Sequence, residues 1–366
     1  MPKSLDPRYF VCAATPNSEA ESVIAHAFTD FNLHPQVHIN LASKGMVIPT
    51  QIQDKALEHA LAGKDVIGLA DTGTGKTATF ALPIIQKLLA NPNETCLIVA
   101  PTRELAVQIR DEIRVLATNL PVFTCVLIGG SDIRRQLDDL RRRPHVYIGT
   151  PGRLRDLYDR RALNLQNTRT VVLDEVDRML DMGFVKEITE LMSFLPTERQ
   201  TMLFSATLDP KVEGIAQRFL SNPIKISVKN GPTSHNVDQN MIRTHGNKME
   251  VLTDLLRKEE FKKVLVFGRT KHGVEKISIT LQKAGFPADA IHGDKRQNQR
   301  ENVLRRFKSN QINILIATDV AARGIDVKDI SHVINYDEPA TFDDYTHRIG
   351  RTGRAGKTGV ALTFVE

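Results

Sequence analysis

The sequence predicts an α/β protein with two parallel sheets in tandem, each covered by helices on both faces. The first observation is length, because 366 residues correspond to roughly two domains. The second is an alternation of short apolar runs with amphipathic segments, which is typical of a parallel sheet buried between helices. The third is a polar interruption after residue 228, beyond which the alternation starts again. We therefore predict a lead-in at 1–27, a first domain at 28–228, a linker at 229–238 and a second domain at 239–366.

The composition is that of an ordinary soluble globular protein, and it excludes several other classes. Hydrophobic residues make up 41% and charged residues 25%, and no apolar run approaches the length of a membrane span. Residues 1–27 carry proline, asparagine, serine and acids where a signal peptide has its apolar block, so we expect a cytoplasmic protein with a weakly ordered lead-in. Three scattered cysteines without a C-x-x-C pair argue for a reducing compartment and against a zinc site. The net charge of +6 permits a polyanionic partner.

Strand and helix signals alternate from residue 65 onward. Runs rich in valine, isoleucine and leucine predict the strands of the first domain at residues 65–70, 96–100, 122–129, 145–150, 170–175, 201–206 and 223–228. Amphipathic segments such as 104–117 and 184–195 predict helices between them. Because the strands are apolar at nearly every position, we expect both faces of the sheet to be buried.

A glycine loop lies between the first predicted strand and a predicted helix. Its residues are Thr72, Gly73, Thr74, Gly75, Lys76 and Thr77. Strand, glycine loop and helix form the context of a phosphate-binding loop, because backbone N–H groups and the helix start can surround a phosphate. Lys76 would reach the β- and γ-phosphates, and the Thr77 hydroxyl would hold Mg²⁺. Ala70 stands where strict Walker A spacing has glycine, and a glycine-rich turn with a surface lysine is the alternative.

An acidic cluster ends the predicted strand at 170–175. Asp174 is expected to hold Mg²⁺ and Glu175 to orient and deprotonate the attacking water, because the carboxyl edge of a parallel sheet faces the ligand crevice. Solvated acids at a strand end are the alternative. Ser205 and Thr207 end another apolar run. Their hydroxyls either hydrogen-bond Asp177 and relay the nucleotide state, or cap the next helix.

The second domain repeats the alternation without a phosphate loop. Apolar runs predict strands at residues 263–268, 288–293, 312–318, 332–337 and 359–365, and segments 272–284 and 298–308 predict helices. Near the end, Arg348, Arg351 and Arg354 recur every three residues. Arginines stabilise the charge that develops on a transferring γ-phosphate. The pattern predicts arginine fingers if the second domain faces the first, and a solvated basic turn otherwise.

Together these segments resemble the DEAD-box ATP-dependent RNA helicases of superfamily 2, which have two tandem RecA-like domains. The resemblance covers nearly the whole chain after Phe28. It rests on motifs in the family's order at residues 49–53, 70–77, 101–106, 129–130, 150–153, 174–177, 205–207, 297–300, 319–326 and 347–354. Residues 178–184 are similar to the bacterial RhlE-type branch. Two positions depart from the family: Val176 replaces an alanine of the acidic box, which should leave activity intact, and Met46 replaces an aromatic residue, which predicts weaker ATP binding.

The resemblance implies a role for each matching position. In the ATP site, Gln53 would read the adenine edge, Phe28 and Met46 would pack nearby and Asp326 would contact the ribose. The catalytic residues would be Lys76, Glu175, Arg351 and Arg354. The residues that couple the two domains would be Asp177, Ser205, Thr207, His347 and Arg348. Sequence-independent contacts to the RNA backbone would come from Arg103, Gly130, Thr150, Arg153, Thr270, Gln297, Arg300, Thr318 and Arg323.

The implied function is an RNA-stimulated ATPase that locally unwinds or remodels RNA duplexes as ATP, Mg²⁺ and RNA draw the two domains together. Two alternatives stay open. An ATP-gated RNA clamp with little unwinding would have the same sequence. A superfamily 2 helicase acting on DNA would use the same residues to contact the backbone, because those residues do not distinguish ribose from deoxyribose. A metabolic P-loop kinase is disfavoured, because it would not need a second parallel-sheet domain that ends in arginines.

Overall fold

The computed structural model describes residues 6, 10–14, 24–71, 73–228, 236–244, 246–322, 327, 329–353 and 358–365. The chain divides into two units: Glu21–Asn230, and Gly231–Glu366 together with Met1–Ala20. Each unit contains a parallel sheet with helices, so the predicted fold class is confirmed. Among the described residues, no helix is both long enough and apolar enough to cross a membrane.

The first unit is built on a seven-stranded sheet. Its strands are β1 (Val66–Ala70), β2 (Thr95–Val99), β3 (Thr124–Leu127), β4 (Val146–Gly149), β5 (Thr168–Leu173), β6 (Gln200–Ser205) and β7 (Ile224–Val228). They lie in the order β3-β4-β2-β5-β6-β1-β7, and every neighbouring pair is parallel. Each lies within or overlaps a strand that the sequence predicts. Val66 and Ile67 of β1 belong to different apolar cores, which explains why successive strand positions are all apolar.

Helices cover both faces of this sheet. They are α1 (Pro35–Ser43), α2 (Gln51–Leu61), α3 (Lys76–Ala90), α4 (Arg103–Leu116), α5 (Ile133–Arg141), α6 (Pro151–Asp159), α7 (Val176–Asp181), α8 (Val185–Ser193) and α9 (Pro210–Phe219). Ile52 of α2 and Ile109 of α4 lie in one core, whereas Leu154 of α6 and Val212 of α9 lie in the other. The loops that leave the carboxyl ends of the strands lead into these helices and so collect at one edge of the sheet.

The second unit has a six-stranded sheet in the order β10-β11-β9-β12-β13-β8, with every neighbouring pair parallel. The strands are β8 (Val237–Arg243), β9 (Val264–Phe267), β10 (Ala288–Ile291), β11 (Ile314–Ala317), β12 (His332–Asn335) and β13 (Gly359–Val365). Its helices are α10 (Lys248–Leu256), α11 (Lys271–Lys283), α12 (Gln297–Lys308), α13 (Asp319–Ala322) and α14 (Phe342–Ile349). As in the first unit, one strand contributes to two apolar cores, because Val264 and Leu265 of β9 lie on opposite faces of the sheet.

Strand β8 is the element that the sequence did not predict. The predicted linker at 229–238 overlaps its first two residues, Val237 and Asp238, and the rest of the strand includes Asn240 and Arg243. A strand at the end of the sheet order needs no continuous apolar run, because its outer side has no neighbouring strand of the parallel sheet. Residues 229–235 of the predicted linker lie outside the described residues.

The N-terminal lead-in also differs from the prediction. We expected residues 1–27 to be weakly ordered, yet Phe10 is fully buried in the second unit and Cys12 forms an antiparallel bridge with Gln239 of β8. The sequence signal is short, since it consists of the apolar residues Phe10 and Val11 in a polar segment. Residues 24–27 instead join the first unit, where the backbone N–H groups of Ala25 and His26 donate to Asp54.

Candidate nucleotide and nucleic-acid sites

Two glycines with left-handed backbone shape the loop between β1 and α3. Gly73 has a φ of 87° and Gly75 a φ of 95°, a region that residues with a side chain rarely adopt. A Cβ on Gly75 would lie 2.5 Å from Gln53 Nε2. Lys76 is the first residue of α3 and donates from Nζ to the Ala70 carbonyl at 2.8 Å. The loop therefore has the strand–loop–helix geometry of a phosphate-binding site, with the lysine held beside its backbone.

Gln53 ties helix α2 to this loop. Its side chain is buried, Oε1 accepts a hydrogen bond from the Thr50 N–H at 2.9 Å, and Nε2 donates to the Gly75 carbonyl at 3.0 Å. The sequence did not predict this supporting role. The second lone pair of Oε1 and the second proton of Nε2 are the groups that an adenine edge would use. Phe28 is buried and Met46 half-buried against the same core.

The acids that follow β5 are both buried. Asp174 is 3% exposed and Glu175 is 6% exposed. Burial raises the pKa of Asp174 to about 7, while the positive charge of Lys76 acts in the opposite direction. A carboxylate that has lost its hydration in this way is stabilised by a nearby cation. Asp174 is therefore suited to bind a cation, and Lys76 lies close enough to interact with the Asp174 carboxylate.

Glu175 is held in an unusual conformation by the start of α7. Its φ of 52° and ψ of 54° place a residue with a side chain in the left-handed region, which is rare and concentrates at functional sites. Its carboxylate is paired with the guanidinium of Arg178, three residues further along. Sequence reasoning missed Arg178. The available signal was its i,i+3 spacing from the acid on a helix.

The predicted link between the acidic cluster and the end of β6 is present within the first unit. Asp177 Oδ2 accepts from the N–H groups of Ala206 and Thr207 at 2.9 and 3.1 Å, and from the Thr207 hydroxyl at 3.5 Å. The Asp177 N–H donates to Ser205 Oγ at 3.3 Å. These contacts connect the end of β6 to the helix that begins at the catalytic candidate Glu175. Their role in relaying the nucleotide state stays a prediction.

The predicted donor set for Mg²⁺ is the Thr77 hydroxyl and the Asp174 carboxylate, and this assignment stays a prediction. In nucleotide sites Mg²⁺ is commonly bound through one or two protein oxygens, with phosphates and waters as the other ligands. The two residues fit that pattern because Thr77 lies in the first turn of α3 and Asp174 is a buried acid at the same edge of the sheet.

Residues assigned to RNA in the first unit lie at the ends of three adjacent strands, β3, β4 and β2. Arg103 begins α4 after β2, and its guanidinium packs on Gly130, where a Cβ would lie 2.0 Å from Nη1. Thr150 follows β4 and precedes α6, which carries Arg153 in its first turn. Arg153 Nη1 is buried without a hydrogen-bond partner among the described residues. The structure therefore places the predicted RNA-contacting residues of the first unit at one edge of its sheet.

The second unit repeats this arrangement along β10, β11 and β9, which are also neighbours. Gln297 and Arg300 lie in the first turn of α12 after β10, Thr318 follows β11, and Thr270 caps α11 after β9. Gln297 and Arg300 are both buried. The hydroxyl of Thr270 accepts from the Gly273 N–H at 3.0 Å.

Arg348 of α14 is bonded inside its own unit. Nε and Nη2 donate to the two carboxylate oxygens of Asp319 at 2.6 and 2.8 Å. Nη1 donates to Asn335 Oδ1 at 3.3 Å and to the Asp337 carbonyl at 2.7 Å. The predicted role was to couple the two domains. In the structure all three guanidinium nitrogens are used to fix α14 to the second sheet, and the coupling role stays a prediction. Asp319, which sequence reasoning did not single out for this contact, is the main partner.

Arg351 lies two residues beyond the end of α14. Its Nε donates to the His347 carbonyl at 3.3 Å, and both residues line a recess that also includes Asp344 and Arg348. The recess lies wholly within the second unit. Four predicted site residues lie outside the described residues: Thr72, Arg323, Asp326 and Arg354.

Comparison with known proteins agrees with these features. The family model described as DEAD/DEAH box helicase matches residues 50–215, and the model described as helicase conserved C-terminal domain matches residues 247–356. The DEAD-box ATP-dependent RNA helicase CshA of Geobacillus kaustophilus is 46% identical over 92% of this chain and 73% of the relative. CshA of Bacillus licheniformis is 44% identical over 92% of this chain and 70% of the relative.

Solved structures lead to the same group of proteins. S. cerevisiae Dbp5 bound to RNA and ADP BeF3 has a TM-score of 0.82 at 30% identity, with 93% of this chain and 90% of that chain covered. A DEAD box protein from Methanococcus jannaschii is 38% identical, with a TM-score of 0.55 and 93% of each chain covered. With both family models matched and relatives at 44–46% identity over 92% of its length, the chain belongs to the DEAD-box helicases.

Proposed function

We propose that this chain is an ATP-dependent RNA helicase, an RNA-stimulated ATPase that unwinds or remodels short RNA duplexes. One observation carries the proposal: a single edge of the first sheet holds both groups of candidate residues. The phosphate loop follows β1 and the acidic pair follows β5, while the RNA-track residues follow β2, β4 and β3. Nucleotide and nucleic acid would therefore bind side by side on one rigid sheet. The CshA relatives are named ATP-dependent RNA helicases, and the Dbp5 structure holds RNA with ADP BeF3.

Hydrolysis would use residues of both loops at this edge. Lys76 would bind the β- and γ-phosphate oxygens, and Glu175 would accept the proton of the attacking water. Thr77 and Asp174 would hold Mg²⁺, which supplies neutralisation of phosphate charge when bound. Glu175 is fixed both by its left-handed backbone and by its ion pair with Arg178, so its carboxylate would need little rearrangement.

The second unit would supply the remaining charges. Arg351 and Arg354 would stabilise the developing charge on the γ-phosphate, and Asp326 would bind the ribose. Closure of the two units on ATP and RNA would bring these groups to the phosphate loop. The anchoring of α14 through Arg348 supports this role for Arg351, because a charge that acts in a transition state must be held in place beforehand.

RNA would be bound through its sugar-phosphate backbone without base readout. Arg153 Nη1 supports this, because it is buried without a hydrogen-bond partner among the described residues, and a phosphate oxygen would satisfy a group that is otherwise costly to bury. The matching group in the second unit, at the ends of β9, β10 and β11, would continue the track. We infer that the protein acts in the cytoplasm, since its three cysteines are all free thiols, which is typical of a reducing compartment.

The test compares ATP hydrolysis with RNA and with DNA of the same sequence, together with ATP-dependent separation of a short labelled RNA duplex. RNA should raise kcat and DNA should not, and the duplex should separate only with ATP. Glu175→Gln should keep ATP and RNA binding but abolish turnover. Equal stimulation by DNA would refute an RNA-specific enzyme, and RNA-stimulated hydrolysis without strand separation would point to an ATP-gated clamp.

A further inference from the structure

Residues 10–14 add a piece of antiparallel strand to the outer side of β8. The Cys12 N–H donates to the Gln239 carbonyl at 3.0 Å, and the Gln239 N–H donates to the Cys12 carbonyl at 2.8 Å. The Ala14 N–H donates to Asp238 Oδ1 at 2.7 Å. The contact is therefore a specific backbone pairing with a fixed register. These residues lie outside both ranges matched by the helicase family models, 50–215 and 247–356.

Phe10 anchors this segment in the core of the second unit. Its side chain is fully buried and packs edge-to-face on Tyr345, with ring centroids 4.9 Å apart and planes at 60°. The same apolar cluster includes Val237 of β8 and Ile349 of α14. The neighbouring Val11 is 53% exposed, and Cys12 and Ala13 are exposed as well, so Phe10 is the side chain of this segment that enters the core.

Tyr345 connects the segment to the arginine helix. Its ring contacts Phe10, and its hydroxyl donates to Gln239 Oε1 at 2.8 Å. Gln239 is therefore contacted twice, through its backbone by Cys12 and through its side chain by Tyr345. Tyr345 and Ile349 are four residues apart and lie on one face of α14. Arg348 holds the helix from another side through Asp319. Without Phe10, Tyr345 would lose the ring contact that comes from outside α14, since its other described ring neighbour, Phe342, belongs to the same helix.

We propose that residues 10–14 are a positioning element of the ATPase: they hold α14 through Phe10 and Tyr345, so that Arg351 is presented at a fixed angle to the nucleotide. This inference rests on the proposed role of Arg351 at the γ-phosphate. The segment touches neither of the predicted ligand sites in the described residues, so it acts through the helix. A displacement of about 1 Å at a transition-state group can cost up to about a hundredfold in rate, and loss of one supporting contact should cost about tenfold.

The test measures kcat and the KM for ATP at saturating RNA, together with thermal unfolding, for a matched set of full-length variants. Phe10→Ala should lower kcat about tenfold with less than a twofold change in KM, at a temperature well below unfolding. Val11→Ala, one residue away and exposed, should change neither. Phe10→Leu, which keeps an apolar side chain at the site, should recover most of the rate. Hydrogen exchange should rise in α14 of Phe10→Ala and stay unchanged in α3.

Four outcomes separate the possibilities. A lower melting temperature for Phe10→Ala with normal kcat overturns the inference, because the segment would then only stabilise the fold. If Phe10→Ala does not fold, Asp238→Ala decides: it removes the bond that Asp238 Oδ1 accepts from the Ala14 N–H and leaves Phe10 in place. An unchanged kcat together with unchanged hydrogen exchange in α14 then overturns the inference. Arg351→Ala is measured in parallel. If that variant keeps normal turnover, the proposed role of Arg351 fails, whereas a slow Arg351→Ala beside a normal Phe10→Ala rejects the positioning element alone.

Discussion

Replacing Arg178 with methionine should destabilise the first unit by leaving a charge buried. Arg178 is paired with Glu175, and 10% and 8% of their side chains are exposed. Removing one partner of a buried ion pair typically costs about 3–5 kcal/mol, because the remaining charge stays desolvated. We expect the lower value, about 3 kcal/mol, because Glu175 lies at the start of α7, where the helix dipole partly stabilises a carboxylate.

A double-mutant cycle separates this charge effect from lost packing. Arg178→Met combined with Glu175→Gln contains neither charge, so its stability should lie within about 1 kcal/mol of wild type. Calorimetry is suitable because the chain has no tryptophan, and about 3 kcal/mol corresponds to a melting temperature lower by about 6–12 °C for a unit of this size.

The control is Arg160→Met, which removes an arginine from an exposed pair with Asp156, 2.7 Å away. Such a change should cost less than about 0.5 kcal/mol. The reasoning fails if the double variant is as unstable as Arg178→Met, or if the losses of the two single variants simply add. Either result would mean that Glu175 is not held by Arg178.

Other expectations concern the RNA track and the thiols. Gly130→Ala should raise the RNA dissociation constant about tenfold, because the φ of 73° at this position is strained for alanine and the new Cβ would lie 2.0 Å from Arg103 Nη1. Fluorescence anisotropy with labelled RNA measures the dissociation constant. The control is Gly214→Ala, where nothing lies within 4 Å of the added Cβ, and this variant should bind RNA normally. In the native protein a maleimide should label the exposed Cys12 and spare Cys125, whose pKa burial raises to about 12. Mass spectrometry of labelled peptides reads this out, and rapid labelling of Cys125 before unfolding would contradict its burial.

Most strands of both sheets were predictable, because a strand that is buried on both faces is apolar at nearly every position of its sequence. In β1 the adjacent residues Val66 and Ile67 face opposite cores, so the whole run must be apolar. Strand β8 has no such continuous apolar run. Its outer side meets the short segment around Cys12 instead of a full strand, and polar residues such as Asn240 are tolerated there. A single buried side chain, Phe10, then fixes the N-terminal segment, and one residue is too little for a periodic pattern.

The site was predictable to the extent that it follows strand ends. Glycine and lysine in the phosphate loop, and the acids after β5, are placed by local geometry, so their positions could be derived from spacing. Apart from the link between Asp177 and the end of β6, partners that come from elsewhere in the chain could not. Arg348 and Asp319 are 29 residues apart, and nothing in either segment specifies the other. Gln53 likewise supports the Gly75 carbonyl from a different helix.

The equal spacing of the arginines in the second unit conceals a division of roles. By spacing alone, Arg348 and Arg351 are equivalent, since each is one step in a three-residue repeat, and only the family resemblance implies different roles for them. In the structure Arg348 is 2% exposed, and its three nitrogens are bonded to Asp319, Asn335 and the Asp337 carbonyl. A guanidinium with this many charge-assisted bonds cannot turn to a phosphate without giving them up. Arg348 therefore fixes the helix, which supports the proposal that Arg351, beyond the end of α14, is an arginine directed to the phosphate. In the positioning role proposed above, Phe10 supports a second side of α14 through Tyr345, because a helix of eight residues that must present a charge needs support on more than one side.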